Sequence, residues 1–144
     1  MLAGDDKCDA WKAFCAELQQ VVSRSESTNT LVTHFAGRHV EWIGKISSLA
    51  FDELSNNVDV DLPEQVIALA DGRLVPIDGV CLSVSKEAAS MWQRYRAGDQ
   101  VRFRATFLGA ESVFPCCEIK RLKSGPALIL LCLHEARPVT GPSR

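Results

Sequence analysis

Cations crowd the second half of the chain. Arg102 and Arg104 alternate with Val101, Phe103 and Ala105, which points both arginines away from the apolar face of a strand. Arg94 and Arg96 close a helical stretch, and Lys120, Arg121 and Lys123 end a further strand. Cations so grouped can hold phosphates. Single-stranded nucleic acid also requires exposed aromatic rings on which bases stack. Trp42, Phe103 and Phe107 fall on apolar strand faces, and Trp92 and Tyr95 lie on or beside a helical stripe, so Phe51 and Phe114 are the rings left free to stack. A plainer role exists for Arg94 and Arg96, which complement a helix C-terminus.

The other reactive side chains form no recognisable constellation. His34, His39 and His134 have no nucleophile signature beside them and read as surface or strand-edge residues. Asp59 and Asp61 share one strand face, where solvated polar positions account for them as well as paired acid–base groups would. Cys8, Cys15, Cys81, Cys116, Cys117 and Cys132 include no Cys-x-x-Cys pair for zinc and match no disulfide framework, so all six are expected as buried thiols. No phosphate-binding glycine loop occurs. The reading expects no cofactor and no metal. A metal-dependent enzyme is the outlying alternative, resting on the histidines, the cysteines and the Asp59/Asp61 pair.

Composition bounds the class. With 144 residues, 47% hydrophobic and 24% charged, the chain has the makings of one sizeable core. A net charge of -2 weighs against a dedicated non-specific DNA binder. The charge is uneven: residues 1–72 hold 12 acids and 5 bases, residues 73–144 hold 6 acids and 11 bases. A basic face is therefore compatible with the acidic total. The start lacks a basic stretch followed by an apolar one, and the longest apolar run, Pro126 to Leu133, is too short to span a bilayer. The expectation is a cytoplasmic protein.

The elements that must position these residues follow from periodicity. Trp11, Phe14, Cys15, Leu18, Val21 and Val22 recur at helical steps and predict a helix from about Asp9 to Val22. Thr30 to Ala36 reads as a second helix ending at Gly37. From His39 to Ile46 the period changes to that of a strand, with Gly44 marking a bulge or bend. Asn57 to Leu62 alternates as a second strand. Gln65 to Ala70 is extended, Asp71-Gly72 signals a tight turn, and Arg73 to Ile77 carries Pro76 at an edge. Val80 to Val84 is another strand. Ser85 caps a helix from Lys86 to about Arg96, with Ala88, Met91, Trp92 and Tyr95 as its stripe and Gly98 beyond it. Strands follow at Val101 to Phe107, Val113 to Leu122 and Ala127 to His134. The last is apolar on both faces and is expected to be covered on both, by the N-terminal helix or a second subunit.

A bent first strand, two more strands, a helix and two further strands give a mainly β fold with helices. The layout is a five-stranded Greek-key barrel of the oligonucleotide/oligosaccharide-binding (OB) type with an N-terminal helical extension. The expected division is 1–36 for the extension, 37–137 for the barrel with an extra C-terminal strand, and 138–144 for a flexible tail.

Two stretches carry a family resemblance. One is Gly37-Arg38-His39-Val40-Glu41-Trp42-Ile43-Gly44-Lys45. The other runs from Met91 through Tyr95, Gly98, Val101-Arg102-Phe103 and Phe107-Leu108-Gly109 to Phe114 and Glu118-Ile119-Lys120. They resemble OB-fold domains of the anticodon-binding-like group and, more narrowly, the C-terminal OB domain of the wolframin family. The narrower resemblance implies a non-enzymatic, protein-binding domain of the endoplasmic reticulum lumen. The broader reading is a non-catalytic module for a macromolecule, single-stranded nucleic acid or protein. Its expected contacts are Lys45, Phe51, Arg102, Arg104, Phe114, Lys120, Arg121 and Lys123.

Overall fold

The computed structural model describes residues 3–52, 56–107, 117–121 and 125–139. Along the chain run α1 (Ala3–Arg24), α2 (Thr28–Phe35), β1 (His39–Phe51), β2 (Asn56–Ala68), β3 (Leu74–Ser83), α3 (Lys86–Trp92), β4 (Gln100–Phe107), β5 (Cys117–Arg121) and β6 (Ala127–Pro138).

The helical stripe of α1 is buried as its spacing requires: Trp11, Phe14, Cys15, Leu18, Val21 and Val22 all lie in the core. The helix outruns its apolar stripe at both ends. The Ser27 side chain accepts from the Thr30 N–H and starts α2, and Gly37 takes φ 78° just beyond its end. These helices share a core with the strands. Phe14 lies 5.1 Å from Trp42 and 5.3 Å from Phe107, ring centre to ring centre, and the Trp11 indole N–H donates to the Pro63 carbonyl at 2.7 Å.

β1 is the bent strand. Its first half, His39 to Lys45, pairs antiparallel with β4, and its second half, Lys45 to Phe51, pairs with β2. The bulge sits at Ser47, between the Ile46 and Ser48 pairs, rather than at Gly44. Gly44 has a different physical reason. A Cβ there would fall 2.5 Å from the Asp61 carbonyl oxygen and 2.5 Å from Val60 Cγ1, so β2 crosses too closely to admit any side chain.

The pieces from Asn57 to Val84 merge into one long hairpin. β2 and β3 pair from Asn57↔Ser83 to Ala68↔Leu74, with a register shift between Asp61 and Gln65. The Asp71-Gly72 turn closes it, with Gly72 at φ 91°. Pro76 sits exposed on β3. Ser85 caps α3, accepting from the Ala88 N–H, but the helix stops at Trp92 instead of Arg96. Trp92 is buried, and its indole N–H donates to the Ala136 carbonyl at 3.0 Å, whereas Met91 of the same expected stripe stays exposed.

The ring closes in the order β3-β2-β1-β4-β6, with β6 returning to β3 by a parallel pairing. This is the strand order of an OB barrel with α3 between its third and fourth strands. One expectation is reversed. The strand around Val113 to Leu122 was to be the fifth barrel strand and Ala127 to His134 an extra. In fact β6 closes the barrel, and β5 pairs, among the described residues, with the first half of β6 alone, forming a hairpin arm within the connection from β4. The two-sided apolar pattern of β6 follows from this double duty. Leu131 and Leu133 face the core, while Leu128 and Leu130 remain exposed on the arm, so among the described residues the N-terminal helices do not cover that face. Ordered pairing also extends past residue 137: the Val139 N–H donates to the Arg102 carbonyl at 2.8 Å.

Candidate functional site

Two outer faces of the barrel differ in charge. On β1 and β4 the outward residues pair as His39↔Thr106, Glu41↔Arg104, Ile43↔Arg102 and Lys45↔Gln100. β6 adds Arg137 opposite Arg104 and His134 opposite Thr106. Arg102, Arg104, Arg137 and Lys45 thus share one face. Arg104 Nε donates to Glu41 Oε1 at 2.8 Å, the one ion pair these four cations make among the described residues.

The alignment of Arg137 and His134 depends on a bulge. Side chains three apart on a regular strand point to opposite sides. Between the Arg104 and Thr106 pairs, β6 spends one residue more than β4. Glu135, at φ 52°, absorbs the extra residue and is the non-glycine with positive φ among the described residues. Without it Glu135 would face Thr106; with it His134 does.

A polar row therefore crosses four strands. His39 Nδ1 lies 2.8 Å from Thr106 Oγ1, His134 is the next strand's neighbour, and Ser83 of β3 follows, because Leu82 pairs with Leu133 one residue earlier. This row, the Glu41–Arg104–Arg137 row and Glu135 line an open cleft of about 900 Å³, bounded on the far side by Ser85 and Glu87 at the start of α3. The volume is that of a small-molecule or single-nucleotide site.

The opposite face, β2 and β3, is acidic. Asp59, Asp61 and Asp78 are exposed there and line a smaller groove of about 300 Å³ with Cys81, Leu128, Leu130 and Cys132. Asp59 accepts from the Ser48 hydroxyl at 2.8 Å. In OB barrels this is the usual ligand face, together with the loops joining strands one to two and four to five. Here three carboxylates would repel a phosphate chain from it.

The residues singled out from sequence separate into groups. Lys45, Arg102 and Arg104 are brought together on the basic face. Lys120 is exposed on the arm, its strand position opposite Leu128, and Arg121 lies opposite Ala127. From the Leu128 pair to the Arg137 pair is nine residues of β6, roughly 30 Å at the rise of a strand. The arm and the basic face are therefore separate regions of the surface. Phe51 is half-buried and packs on the core, so it is not free for stacking. Phe114 and Lys123 lie outside the described residues, as do Cys116 and the side chain of Cys8. Cys15 and Cys117 are buried thiols as expected, and burial pushes the Cys15 thiol up to about 12. Cys81 and Cys132 depart from that expectation, being half-buried neighbours. Sequence reasoning missed Arg137, and it left His39 and His134 as unconnected residues. No group of three or more metal-ligating side chains occurs among the described residues.

No family model matches the chain. No curated protein matches it either, so the narrower wolframin-type resemblance has no counterpart there. Among solved structures, the chain is similar to the mitochondrial single-stranded DNA binding protein Rim1 of S. cerevisiae, at 12% identity and TM-score 0.43, over 76% of this chain and 99% of that one. It is also similar to the Plasmodium falciparum SSB in complex with ssDNA, at 9% identity and TM-score 0.37, over 71% of this chain and 94% of that one. The OB assignment rests on this chain's own strand order and not on these likenesses. No described helix is long and apolar enough to cross a membrane.

Proposed function

We propose that this barrel is a non-catalytic module that binds single-stranded nucleic acid along the outer face of β1, β4 and β6. The observation that carries the reading is the group of Arg102, Arg104, Arg137 and Lys45 on one face, with one ion-pair partner, Glu41, among the described residues; Arg104 and Arg137 also line the cleft, beside Glu41, Glu87 and Glu135. Arginine forks match phosphate oxygens two bonds at a time. The cleft beside them gives a neighbouring base room to leave the chain, where the His39 and His134 rings and the Ser83 hydroxyl offer stacking and edge contacts.

The described aromatic rings are buried or half-buried, so phosphate contacts dominate the binding and sequence preference is weak. The acidic total and the carboxylates of the other face favour a flexible strand that follows one face over a rigid duplex that presents phosphates all round.

The reading is tested by anisotropy of a fluorescent mixed-sequence single strand at low and moderate salt. Binding that weakens steeply with salt supports it, since phosphate contacts release counterions. No binding at low salt sinks it.

A further inference from the structure

The barrel's closing seam holds two thiols side by side. The parallel β3–β6 ladder consists of two register pairs, Cys81↔Cys132 and Leu82↔Leu133. Adjacent strands lie about 4.8 Å apart, inside the window of roughly 4.4–6.8 Å that a disulfide spans between Cα atoms. Both sulfurs point outward, away from buried Val80, Leu82, Leu131 and Leu133, and both line the small groove on the acidic face. Each is half-buried, whereas Cys15 and Cys117 are sealed in the core. Among the described cysteines, this pair is the one open to a reagent and geometrically matched to itself.

We propose that Cys81 and Cys132 are a redox-active pair whose disulfide locks the barrel seam. The two sulfurs are hydrogen-bonding neighbours. That contact holds the Cys132 thiol below the ordinary cysteine value, against desolvation and the repulsion of Asp59 and Glu118, and pushes Cys81 above it. The shift favours Cys132 as the first attacker, and the register of the pair serves either order of attack. With a small disulfide such as oxidised glutathione, the Cys132 thiolate attacks one sulfur, forms a mixed disulfide and releases one glutathione thiolate. Cys81 then loses its proton, attacks the Cys132 sulfur and releases the second glutathione. Two protein thiols become one protein disulfide, and one glutathione disulfide becomes two thiols.

The consequence follows from the position of the pair. A two-residue ladder is the shortest join in the ring and the natural place for the barrel to open locally. A covalent bond there ties the end of β3 to β6, which also carries Arg137 and His134 of the cleft.

The test uses the full chain. It is incubated with oxidised glutathione, quenched with an alkylating agent, denatured, digested and mapped by mass spectrometry. A linked Cys81–Cys132 peptide, about two mass units below the sum of its reduced halves, supports the pair. Both cysteines recovered alkylated, or carrying glutathione separately without a link, overturns it. In Cys81→Ser, a persistent glutathione adduct at Cys132 is expected, because the resolving thiol is gone; modification at other cysteines in its place contradicts the assignment of Cys132 as attacker. Oxidised wild type should melt roughly 5–15 °C above the reduced form. An unchanged melting temperature with the link present would overturn the locking of the seam.

Discussion

The two outer faces of the barrel are built from the same β1 yet end with opposite character. Where β1 pairs with β4, its outward positions look onto Arg102 and Arg104, with Arg137 beyond on β6. Where it pairs with β2, they look onto Asp59 and Asp61. Lys45 stands at the crossing, opposite both Gln100 and Asp61. The net charge of -2 averages over this division and describes neither face. A barrel with one basic and one acidic face can hold a polyanion on one side only, and here that side is not the face OB barrels ordinarily use.

The comparison breaks most severely where β1 passes from one face to the other. Gly44→Val places a side chain against the Asp61 carbonyl, which cannot move without unpicking the β1–β2 ladder. The expected loss is about 3 kcal/mol, or near 10 °C in melting temperature, read by thermal denaturation. Both faces should fail together, with strand binding lost as the fold is lost.

A sharper cut removes one face and leaves the fold. Arg104→Ala/Arg137→Ala takes two exposed cations from the edge of the cleft, and strand affinity at low salt should fall roughly tenfold or more. The melting temperature should change little, because surface arginines add little stability. Removing charge from the opposite face works the other way. Asp59→Asn/Asp61→Asn should strengthen binding about two- to threefold at low salt and hardly at all at high salt, since the repulsion it relieves is long-range and screened.

The smallest effect lies remote from both faces. Glu17 accepts both Arg38 guanidinium nitrogens, at 2.6 and 2.8 Å, and its carboxylate oxygen lies 2.6 Å from His34 Nε2. Foremost through the Arg38 bonds, its carboxyl falls from 4.5 to about 2. A depressed pKa stabilises the fold above the unfolded value and loses that contribution as pH falls through the folded one. Glu17→Gln should therefore cost about 0.5–1 kcal/mol at neutral pH, given the exposure of the pair. The gap to wild type should shrink between pH 4.5 and pH 2, while strand binding stays unchanged.

Local signals in the sequence proved faithful. The α1 stripe, the Ser85 cap, the Asp71-Gly72 turn and the alternation around Arg102 and Arg104 each depend on neighbours a few residues apart. The β5 and β6 roles were not legible, because a strand's own pattern does not name its partner. β6 reads as apolar on both faces because half of it sits in the barrel and half in the arm. The cleft was equally hidden. His39 and His134 come to flank Thr106 of β4 only through the bulge at Glu135, and nothing in Leu133-His134-Glu135-Ala136 announces a left-handed residue. For the basic face, alternation found Arg102 and Arg104, while Arg137 fell at the edge of the expected tail and joins them only through the β4–β6 register.

The central claim, that the basic face rather than the arm or the acidic face holds a nucleic-acid strand, is tested most directly by salt dependence. The slope of log affinity against log salt is measured for wild type, for Arg102→Ala/Arg104→Ala/Arg137→Ala and for Lys120→Ala/Arg121→Ala/Lys123→Ala. Each lost phosphate contact lowers the slope on a single strand by about 0.7, so the arginine variant should fall by about 2 and the arm variant by much less. An unchanged slope in the arginine variant, or a loss confined to the arm variant, would contradict the account.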